Sequence, residues 1–201
     1  MALTLAPGRT LFFCRHGETE ANVEKRFQGR TVDTPLTANG REQARAIAAI
    51  LRGACDAFSA LDFVCSPLPR ARTTMEIIRG ELGLAPGAYR TDDRLMEINL
   101  GLWDGLTDRE ASARYPVQYD ARIEDKWNVR VPGGENYADV AARAESWIAD
   151  IRDDTFAVSH GAFTRVLRGL FQGLEWKQMS DLDETQGVVF RVRGNKVERL
   201  E

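Results

Sequence analysis

The chain contains the stretch Thr10-Leu11-Phe12-Phe13-Cys14-Arg15-His16-Gly17-Glu18, in which an apolar run leads directly into charged and polar residues. The apolar part has the length and composition of a buried strand. The same order recurs twice: Asp62-Phe63-Val64-Cys65 precedes Ser66-Pro67-Leu68-Pro69-Arg70, and Thr155-Phe156-Ala157-Val158 precedes Ser159-His160-Gly161. Because α/β proteins bind ligands beyond the carboxyl ends of their strands, we expect a site where these three stretches end.

Apolar residues at helical spacing alternate with these strands, and Thr37 is placed to cap the first of the helices. Their apolar positions are Ala44, Ile47, Ala48 and Leu51, then Met75, Ile78 and Leu82, then Tyr137, Val140, Ala141, Ala144, Trp147, Ile148 and Ile151, and finally those of residues 163–171. Residues 188–192 and 196–200, joined by Gly194-Asn195, have the pattern of a β-hairpin. The alternation predicts an α/β three-layer sandwich with a mainly parallel central sheet flanked by helices.

The composition excludes several classes of protein. With 201 residues, 43% of them hydrophobic and 28% charged, the chain is expected to fold as one domain spanning 1–201. A net charge of −3 argues against nucleic-acid binding. No apolar run approaches the roughly 18 residues of a membrane span, no signal-peptide pattern is present, and three cysteines do not make a disulfide framework. We therefore expect a cytoplasmic protein without a membrane or nucleic acid as partner.

The two histidines of the chain point to phosphoryl transfer. Both His16 and His160 directly follow a predicted strand, and a glycine follows each of them. A neutral imidazole can attack phosphorus when its other ring nitrogen is held as a donor. Arg15 and Arg70, also at strand ends, carry the guanidinium fork that binds phosphate in a bidentate way.

A leaving alkoxide needs a general acid, and residues 91–105 contain the candidates. Their carboxylates are Asp92, Asp93, Glu97 and Asp104. Glu97 lies among apolar neighbours, so burial could raise its pKa and keep it protonated. A solvated loop carboxylate is an equally good interpretation of the same pattern.

Two other kinds of phosphatase or hydrolase site are disfavoured. A cysteine-dependent phosphatase needs five residues between its cysteine and arginine, whereas only four separate Cys65 from Arg70. His16 and His160 are too far apart in sequence for a recognisable zinc-ligand spacing, and the chain has no Cys-x-x-Cys pair.

Further motifs accompany the strand ends in a fixed order. They are Arg15-His16-Gly17-Glu18-Thr19 with Asn22, Phe27-Gln28-Gly29, Asp33-Thr34-Pro35-Leu36-Thr37 with Gly40, Ser66-Pro67-Leu68 with Arg70-Ala71, Leu95-x-Glu97-Ile98 with Gly101, Pro132-Gly133-Gly134-Glu135, and Ser159-His160-Gly161. With these motifs, which cover most of its length, the chain resembles the histidine phosphatase superfamily in its cofactor-dependent phosphoglycerate mutase-like branch. The resemblance implies a mainly parallel sheet flanked by helices.

The resemblance also implies a role for each candidate. His16 would be the nucleophile and become a phosphohistidine. Arg15, Arg70 and His160 would bind the phosphate, with His160 as a cation that stabilises the transferring group. Glu97 would donate a proton to the leaving group and later activate water. The phosphate pocket would be lined by Asn22, Gln28, Gly29, Gly161 and Ala162. No metal and no organic cofactor is implied.

Departures from the family pattern favour a hydrolase. No aspartate follows His160, which disfavours the acid phosphatase and phytase branch. Leu100 stands where phosphoglycerate mutases have a tyrosine, and no Arg-Arg pair lies between Glu97 and His160. Asp104 stands where the family often has a second glutamate. We predict a metal-independent phosphomonoester hydrolase that acts through a phosphohistidine on a small phosphorylated metabolite. The alternatives are a phosphoglycerate mutase and, disfavoured by the complete set of site residues, a non-catalytic phosphate-binding regulator.

A lid over the pocket is predicted within residues 98–135. The capping box Thr107-x-x-Glu110 opens a short helix there, and Pro116 ends it. The segment 106–132 is rich in cations, namely Arg109, Arg114, Arg122, Lys126 and Arg130. These residues form either a solvated face or a surface that binds a second anionic group of the substrate. The small phosphorylated substrate is the only partner that the sequence predicts, and no pattern predicts an oligomeric state.

Overall fold

The computed structural model, which describes residues 2–201, contains a six-stranded mixed sheet in the order β3-β2-β4-β1-β5-β6. The strands are β1 (Thr10–Arg15), β2 (Asp62–Cys65), β3 (Arg90–Thr91), β4 (Thr155–Ser159), β5 (Val189–Arg193) and β6 (Lys196–Leu200). The first four are parallel to one another, and the β5-β6 hairpin adds to β1 in the antiparallel direction. The predicted mainly parallel sheet is confirmed.

The register of the sheet brings the predicted site residues to one edge. β1 and β4 pair with Arg15 opposite Ser159, so the next residues, His16 and His160, leave the sheet side by side. The His16 amide donates to the Ser159 carbonyl at 2.9 Å. Ser66, the first residue after β2, continues the ladder by donating its amide to a β4 carbonyl at 3.0 Å.

Two helical layers cover the faces of the sheet. The helices are α1 (Glu20–Val23), α2 (Ala38–Ala54), α3 (Pro69–Glu81), α4 (Asp108–Arg114), α5 (Pro116–Glu124), α6 (Tyr137–Ala149), α7 (Gly161–Gln172) and α8 (Trp176–Asp181). Because strand side chains alternate between faces, Phe12 and Cys14 pack with α2 and α3, whereas Leu11 and Phe13 pack with α6 and α7. Within residues 2–201, no helix is long and apolar enough to cross a membrane.

Several helix boundaries depart from the sequence prediction. The Thr37 and Thr107 caps are confirmed, since each hydroxyl accepts a backbone amide three residues on. Pro116 does follow the end of α4, but it also begins α5, where proline suits the first turn of a helix. α7 begins at Gly161, two residues earlier than its apolar pattern indicates. The two-residue β3 is too short to produce a periodic pattern.

The predicted lid, residues 98–135, contains α4, α5 and a 3₁₀ turn over Gly101–Trp103. It has a small apolar cluster of its own, formed by Trp103, Ala111 and Val131. The Trp103 ring packs between those of Phe27 and Tyr119, with ring centroids 6.1 and 5.6 Å apart. Trp103 is therefore a packing residue that also lines the cavity described below.

Two glycines allow α2 to pack against the loop that follows His16. A Cβ atom on Gly40 would lie 2.1 Å from the Glu18 carbonyl oxygen, and one on Gly17 would lie 2.2 Å from the Gly40 carbonyl oxygen. Both neighbours are backbone atoms, so the clash cannot be relieved by turning a side chain.

We expect Gly40→Ala to lower the free energy of unfolding by about 1–3 kcal/mol, because the helix must move away from the loop. Gly53→Ala in the same helix is the matched control. Among residues 2–201, a Cβ added there meets no atom within 4 Å apart from its chain neighbours and the adjacent helix backbone. The control is expected to be neutral or to stabilise by up to about 1 kcal/mol. Urea unfolding measures both, and equal effects of the two substitutions would contradict the packing account.

Candidate active site

His16 is buried at the end of β1 with its ring held in one tautomer. Its Nδ1 lies 2.8 Å from the Gly17 carbonyl oxygen, so Nδ1 carries the proton and donates it there. The Arg70 Nε–H points at Nε2 from 3.2 Å, as expected if Nε2 carries a lone pair. Burial, together with the charges of Arg70 and Arg15, lowers the pKa of His16 well below its ordinary value. The neutral imidazole is therefore favoured, with its lone pair on Nε2.

Arg70, in the first turn of α3, is fixed by partners on all three of its nitrogens. Besides the Nε–H bond to His16, Nη1 forms an ion pair with Asp33 Oδ1 at 2.7 Å. Nη2 donates to the carbonyl oxygens of Gln28 and Gly29 at 3.2 and 2.8 Å. The side chain of Arg70 has no exposed surface. Such a guanidinium is held in one orientation beside the His16 ring.

Arg15, the last residue of β1, lies beside a carboxylate from the loop before β5. Its Nη1 donates to the Glu184 carbonyl oxygen at 2.8 Å and lies 3.6 Å from Glu184 Oε2. Its Nε is buried and has no hydrogen-bond partner within the described residues. A buried, unpaired N–H on a cation is a donor for an incoming anion.

His160 directly precedes α7, and the centroid of its ring lies 5.1 Å from that of His16. Its Nε2 is 2.7 Å from Ser66 Oγ, and its Nδ1 is buried without a partner in residues 2–201. Burial and the nearby charge of Arg70 lower the pKa of His160 well below its ordinary value. The lowered pKa favours a neutral ring in the free site, and a cationic His160 beside a bound phosphate stays a prediction.

Glu97 is buried at the start of α7, where its carboxylate accepts backbone amides. Oε1 accepts from Ile98 at 2.8 Å and from Phe163 at 3.3 Å, and Oε2 accepts from Ala162 at 3.2 Å. Burial and the negative charge of Glu184 raise the pKa of Glu97, outweighing these hydrogen bonds. Of the two interpretations of Glu97, buried or solvated, the buried one is confirmed. A raised pKa suits a proton donor.

A cavity of about 250 Å³ opens above these groups. His16, Arg15 and Glu97 line it, whereas Arg70 and His160 are not among its lining residues. Its wall includes four further cations and two further carboxylates, which are Arg26, Arg122, Lys126 and Arg165, and Asp108 and Glu184. The aromatic rings of Trp103, Tyr119 and Tyr137 also line it. The cavity thus joins a buried imidazole, a buried carboxyl group with a raised pKa and a wall in which cations outnumber carboxylates.

Comparison with known families assigns this arrangement. The sequence profile described as the histidine phosphatase superfamily (branch 1) matches residues 11–199. The chain belongs to this superfamily. The match covers nearly the whole chain, including every residue of the site described above.

The curated relatives of this superfamily member include proteins whose names give both a kinase and a bisphosphatase activity. The 6-phosphofructo-2-kinase/fructose-2,6-bisphosphatase of Caenorhabditis elegans is 30% identical over 187 residues, covering 91% of this chain and 38% of the relative. The 6-phosphofructo-2-kinase/fructose-2,6-bisphosphatase 1 of Mus musculus is 32% identical over 165 residues, covering 81% and 32%. The chain therefore spans about a third of the length of these relatives.

Solved structures of similar proteins match almost end to end. The alpha-ribazole phosphatase of Shigella flexneri has 26% identity and a TM-score of 0.79, covering 94% of this chain and 93% of that one. A mycobacterial glucosyl-3-phosphoglycerate phosphatase, in complex with VO3, has 30% identity and a TM-score of 0.75, with coverages of 96% and 98%. The similar structures thus share the fold but differ in the substrates that their names give.

The structure sorts the predicted phosphate-binding residues into two groups. Asn22, Gln28 and Ala162 line the cavity. Gly29 is not among the lining residues; its carbonyl accepts from Arg70 and its amide donates to Asp104. The fifth residue, Gly161, faces the Glu184 carboxylate. Phosphate binding by all five residues stays a prediction, as do the five predicted catalytic roles.

Asp104 is an anchor for a loop and lies outside the reacting centre. Its carboxylate accepts the amides of Gly29, Thr31 and Val32 and the Thr31 hydroxyl. Burial alone would raise its pKa, but these hydrogen bonds prevail and lower it. The lowered pKa favours the ionised carboxylate, which holds residues 29–32 in place.

Only part of the basic lid segment reaches the cavity. Arg122 and Lys126 line it, and the Arg122 guanidinium donates to the carbonyl oxygens of Lys126 and Val129. Burial and the nearby charges of Arg165 and Arg122 lower the pKa of Lys126. Arg130 points elsewhere and pairs with Asp139. Binding of a second anionic group by this segment stays a prediction, and only Arg122 and Lys126 are placed for it.

Sequence reasoning missed four residues that complete the site. Asp33 fixes Arg70, and Ser66 fixes His160. Glu184 and Arg165 form an ion pair at 3.1 Å on the cavity wall. Ser66 could have been found from its place at a strand end, and Asp33 from the motif that contains it. Nothing in the pattern around Glu184 distinguishes it from a solvated loop residue.

Proposed function

We propose that this chain is a metal-independent phosphomonoester hydrolase that forms a phosphohistidine at His16. The observation that carries the proposal is the fixed tautomer of His16. The Gly17 carbonyl holds the proton on Nδ1, and the low pKa keeps Nε2 unprotonated in a buried site. Arg15 Nε and His160 Nδ1 are buried polar atoms next to it without partners in residues 2–201, as an anion pocket requires.

In the first half-reaction, the Arg70 Nε–H turns from His16 Nε2 to a phosphoryl oxygen. The freed Nε2 lone pair forms a bond to phosphorus while the bond from phosphorus to the leaving oxygen breaks. Glu97 donates its proton to that oxygen, so the alcohol leaves neutral. The positive charge that develops on the imidazole is stabilised by the Nδ1–H bond to the Gly17 carbonyl. Arg15 and Arg70 stabilise the charge on the phosphoryl oxygens.

His160 can assist without being a cation beforehand. If the Ser66 hydroxyl donates to its Nε2, the other nitrogen carries the proton and can donate to a phosphoryl oxygen. A bound dianion also favours the protonated ring.

In the second half-reaction, water attacks phosphorus on the side opposite His16. The Glu97 carboxylate takes a proton from that water as the bond from Nε2 to phosphorus breaks. Inorganic phosphate leaves, and both groups return to their starting protonation states. Each step balances with water as the only co-reactant.

The basic wall supports a substrate with a second anionic group. Lys126 has no carboxylate within ion-pair distance among residues 2–201, and Arg165 lies next to it on the wall. The curated relatives are named for a fructose 2,6-bisphosphatase activity, and this substrate class carries two phosphates. A sugar bisphosphate is therefore the substrate class that we propose to test first.

Phosphoglycerate mutase activity is the second candidate, because it would use the same phosphohistidine. Leu100, which replaces the tyrosine that the resemblance leads one to expect, lines the cavity and offers no hydroxyl there. This replacement favours hydrolysis over transfer back to a bound glycerate.

The direct test is release of inorganic phosphate from p-nitrophenyl phosphate in excess EDTA. The proposal predicts full activity with the chelator. Loss of activity in EDTA that returns with a divalent cation would contradict it. Phosphate transfer between positions of phosphoglycerate, without release, would establish the mutase instead.

We expect Lys126→Ala to lower kcat/KM for fructose 2,6-bisphosphate by about 10- to 100-fold, the equivalent of one charge-assisted hydrogen bond. The same variant should change kcat/KM for p-nitrophenyl phosphate by less than about threefold, since that substrate has no second anion. Arg114→Ala is the matched control, because Arg114 lies in the lid but does not line the cavity. Equal losses on both substrates would count against a second anionic subsite.

A further inference from the structure

We propose that Glu184 is a specificity-determining residue that limits how tightly this pocket holds phosphate. Its carboxylate lies between Arg15 and Arg165, in space that an anionic substrate group must enter. The inference rests on the proposed function of the pocket as a phosphate site. Neither the family motifs nor the predicted site residues include Glu184.

The contacts of Glu184 place its carboxylate among the cations of the site. Oε1 lies 3.1 Å from Arg165 Nη2, and Oε2 lies 3.6 Å from Arg15 Nη1. Its side chain lines the cavity and is 30% exposed. The carboxylate therefore neutralises two cations that an anionic substrate would otherwise meet unpaired.

The same carboxylate lies against the first residue of α7. A Cβ atom on Gly161 would come within 2.7 Å of Glu184 Oε2. The start of a twelve-residue helix favours negative charge, and it is one of the places where proteins bind phosphate. The side chain of Glu184 thus occupies a position suited to a phosphoryl oxygen.

A phosphate entering the pocket must displace this carboxylate or bear its repulsion. Displacement is feasible because the Glu184 backbone carbonyl, which accepts from Arg15 at 2.8 Å, can stay in place while the side chain swings towards solvent. The cost of displacement weakens the binding of every phosphate, including the inorganic phosphate produced by hydrolysis. Glu184 would therefore speed product release and reject weakly held anions.

The experiment measures binding of inorganic phosphate by isothermal titration calorimetry. We expect Glu184→Gln to bind phosphate about tenfold more tightly than the wild type, because a neutral amide removes the competing charge. Glu184→Asp, which keeps the charge, should stay within about threefold of the wild type. Glu198→Gln is the matched control for the loss of one carboxylate, since Glu198 pairs with Arg191 on the distant hairpin.

A purely structural role for Glu184 predicts the opposite sign, since a disturbed Arg15 would bind phosphate less well. Unchanged or weaker binding by Glu184→Gln would therefore overturn the proposal. Glu184→Ala gives a second test if the glutamine variant does not fold. In steady state, the inhibition constant of phosphate as a product should fall by the same factor as its dissociation constant.

Binding of phosphate requires no turnover, so the test is separate from that of the proposed function. A wild-type protein that binds phosphate but hydrolyses neither p-nitrophenyl phosphate nor fructose 2,6-bisphosphate would contradict the proposed hydrolase. The effect of Glu184→Gln on phosphate affinity would still decide the role of this carboxylate.

Discussion

Replacing His16 with alanine is expected to lower kcat for p-nitrophenyl phosphate by about 10⁴-fold or more, in the range found when a covalent nucleophile is removed. The reason is that the reaction loses its covalent route: Glu97, Arg15 and Arg70 remain, but no other group presents a lone pair to the phosphorus. The buried cysteines cannot substitute, because burial raises the pKa of the Cys14 and Cys65 thiols and keeps them protonated.

The control for this variant is His160→Ala, which removes the histidine that follows the neighbouring strand β4. It keeps the nucleophile and loses one donor to the phosphoryl group, so we expect a loss of about 10²–10³-fold. Both variants are assayed in excess EDTA with p-nitrophenyl phosphate. Residual activity of His16→Ala equal to that of His160→Ala would contradict the assignment of His16 as nucleophile.

Glu97→Gln is expected to lower kcat by about 10²–10⁴-fold for an alkyl phosphate, because a poor leaving group needs a proton in the transition state. The loss in the phosphorylation step should be much smaller for p-nitrophenyl phosphate, whose leaving group departs as a stable anion. With this substrate, the slow step becomes attack of water on the phosphohistidine, which also needs Glu97. The variant should therefore release a burst of p-nitrophenolate followed by slow turnover.

The burst amplitude measures how much phosphoenzyme accumulates. Glu97→Asp is a useful comparison, since it keeps a carboxyl group on a shorter side chain and should recover part of the rate. Equal losses on alkyl and aryl phosphates, with no burst, would show that Glu97 acts only in folding or packing.

The pH dependence of kcat/KM follows from the ionisation of His16 and of Glu97 in the free enzyme. His16 has a lowered pKa, so it stays neutral and active below pH 6.5, where an ordinary imidazole would be protonated. Glu97 has a raised pKa, so it stays protonated above the ordinary range of a glutamate, and activity falls as the pH rises through that value. Glu97→Gln should remove this alkaline limb, after correction for ionisation of the phosphate ester near pH 6.

The proximity of His16 and His160 could be predicted from the sequence, because the strand pattern and the parallel topology together determine it. Short apolar runs identify the strands, and parallel pairing brings their carboxyl ends to one edge. The burial of Glu97 was only half predictable. Its apolar neighbours allow burial, but the deciding contacts are amides of α7, 65 and 66 residues further along the chain.

The remaining features depend on contacts that leave no local pattern. Glu184 meets Arg15 across 169 residues of sequence, from a loop whose composition is ordinary for a surface. The protonation state of His160 depends on burial and on the nearby Arg70, neither of which its neighbours in sequence specify. Among the lid cations, Arg122 and Lys126 line the cavity because of the way α5 and the chain that follows it pack, whereas Arg130 points to Asp139.

The most direct test of the account is to trap the phosphoenzyme and locate the phosphate. Glu97→Gln is mixed with p-nitrophenyl phosphate, quenched in alkali, which preserves phosphohistidine, digested and analysed by mass spectrometry. The account predicts stoichiometric phosphate on the peptide that contains His16, and none when His16→Ala is added to the same variant. Phosphate on another residue, or burst-free turnover without any phosphopeptide, would contradict covalent catalysis by His16.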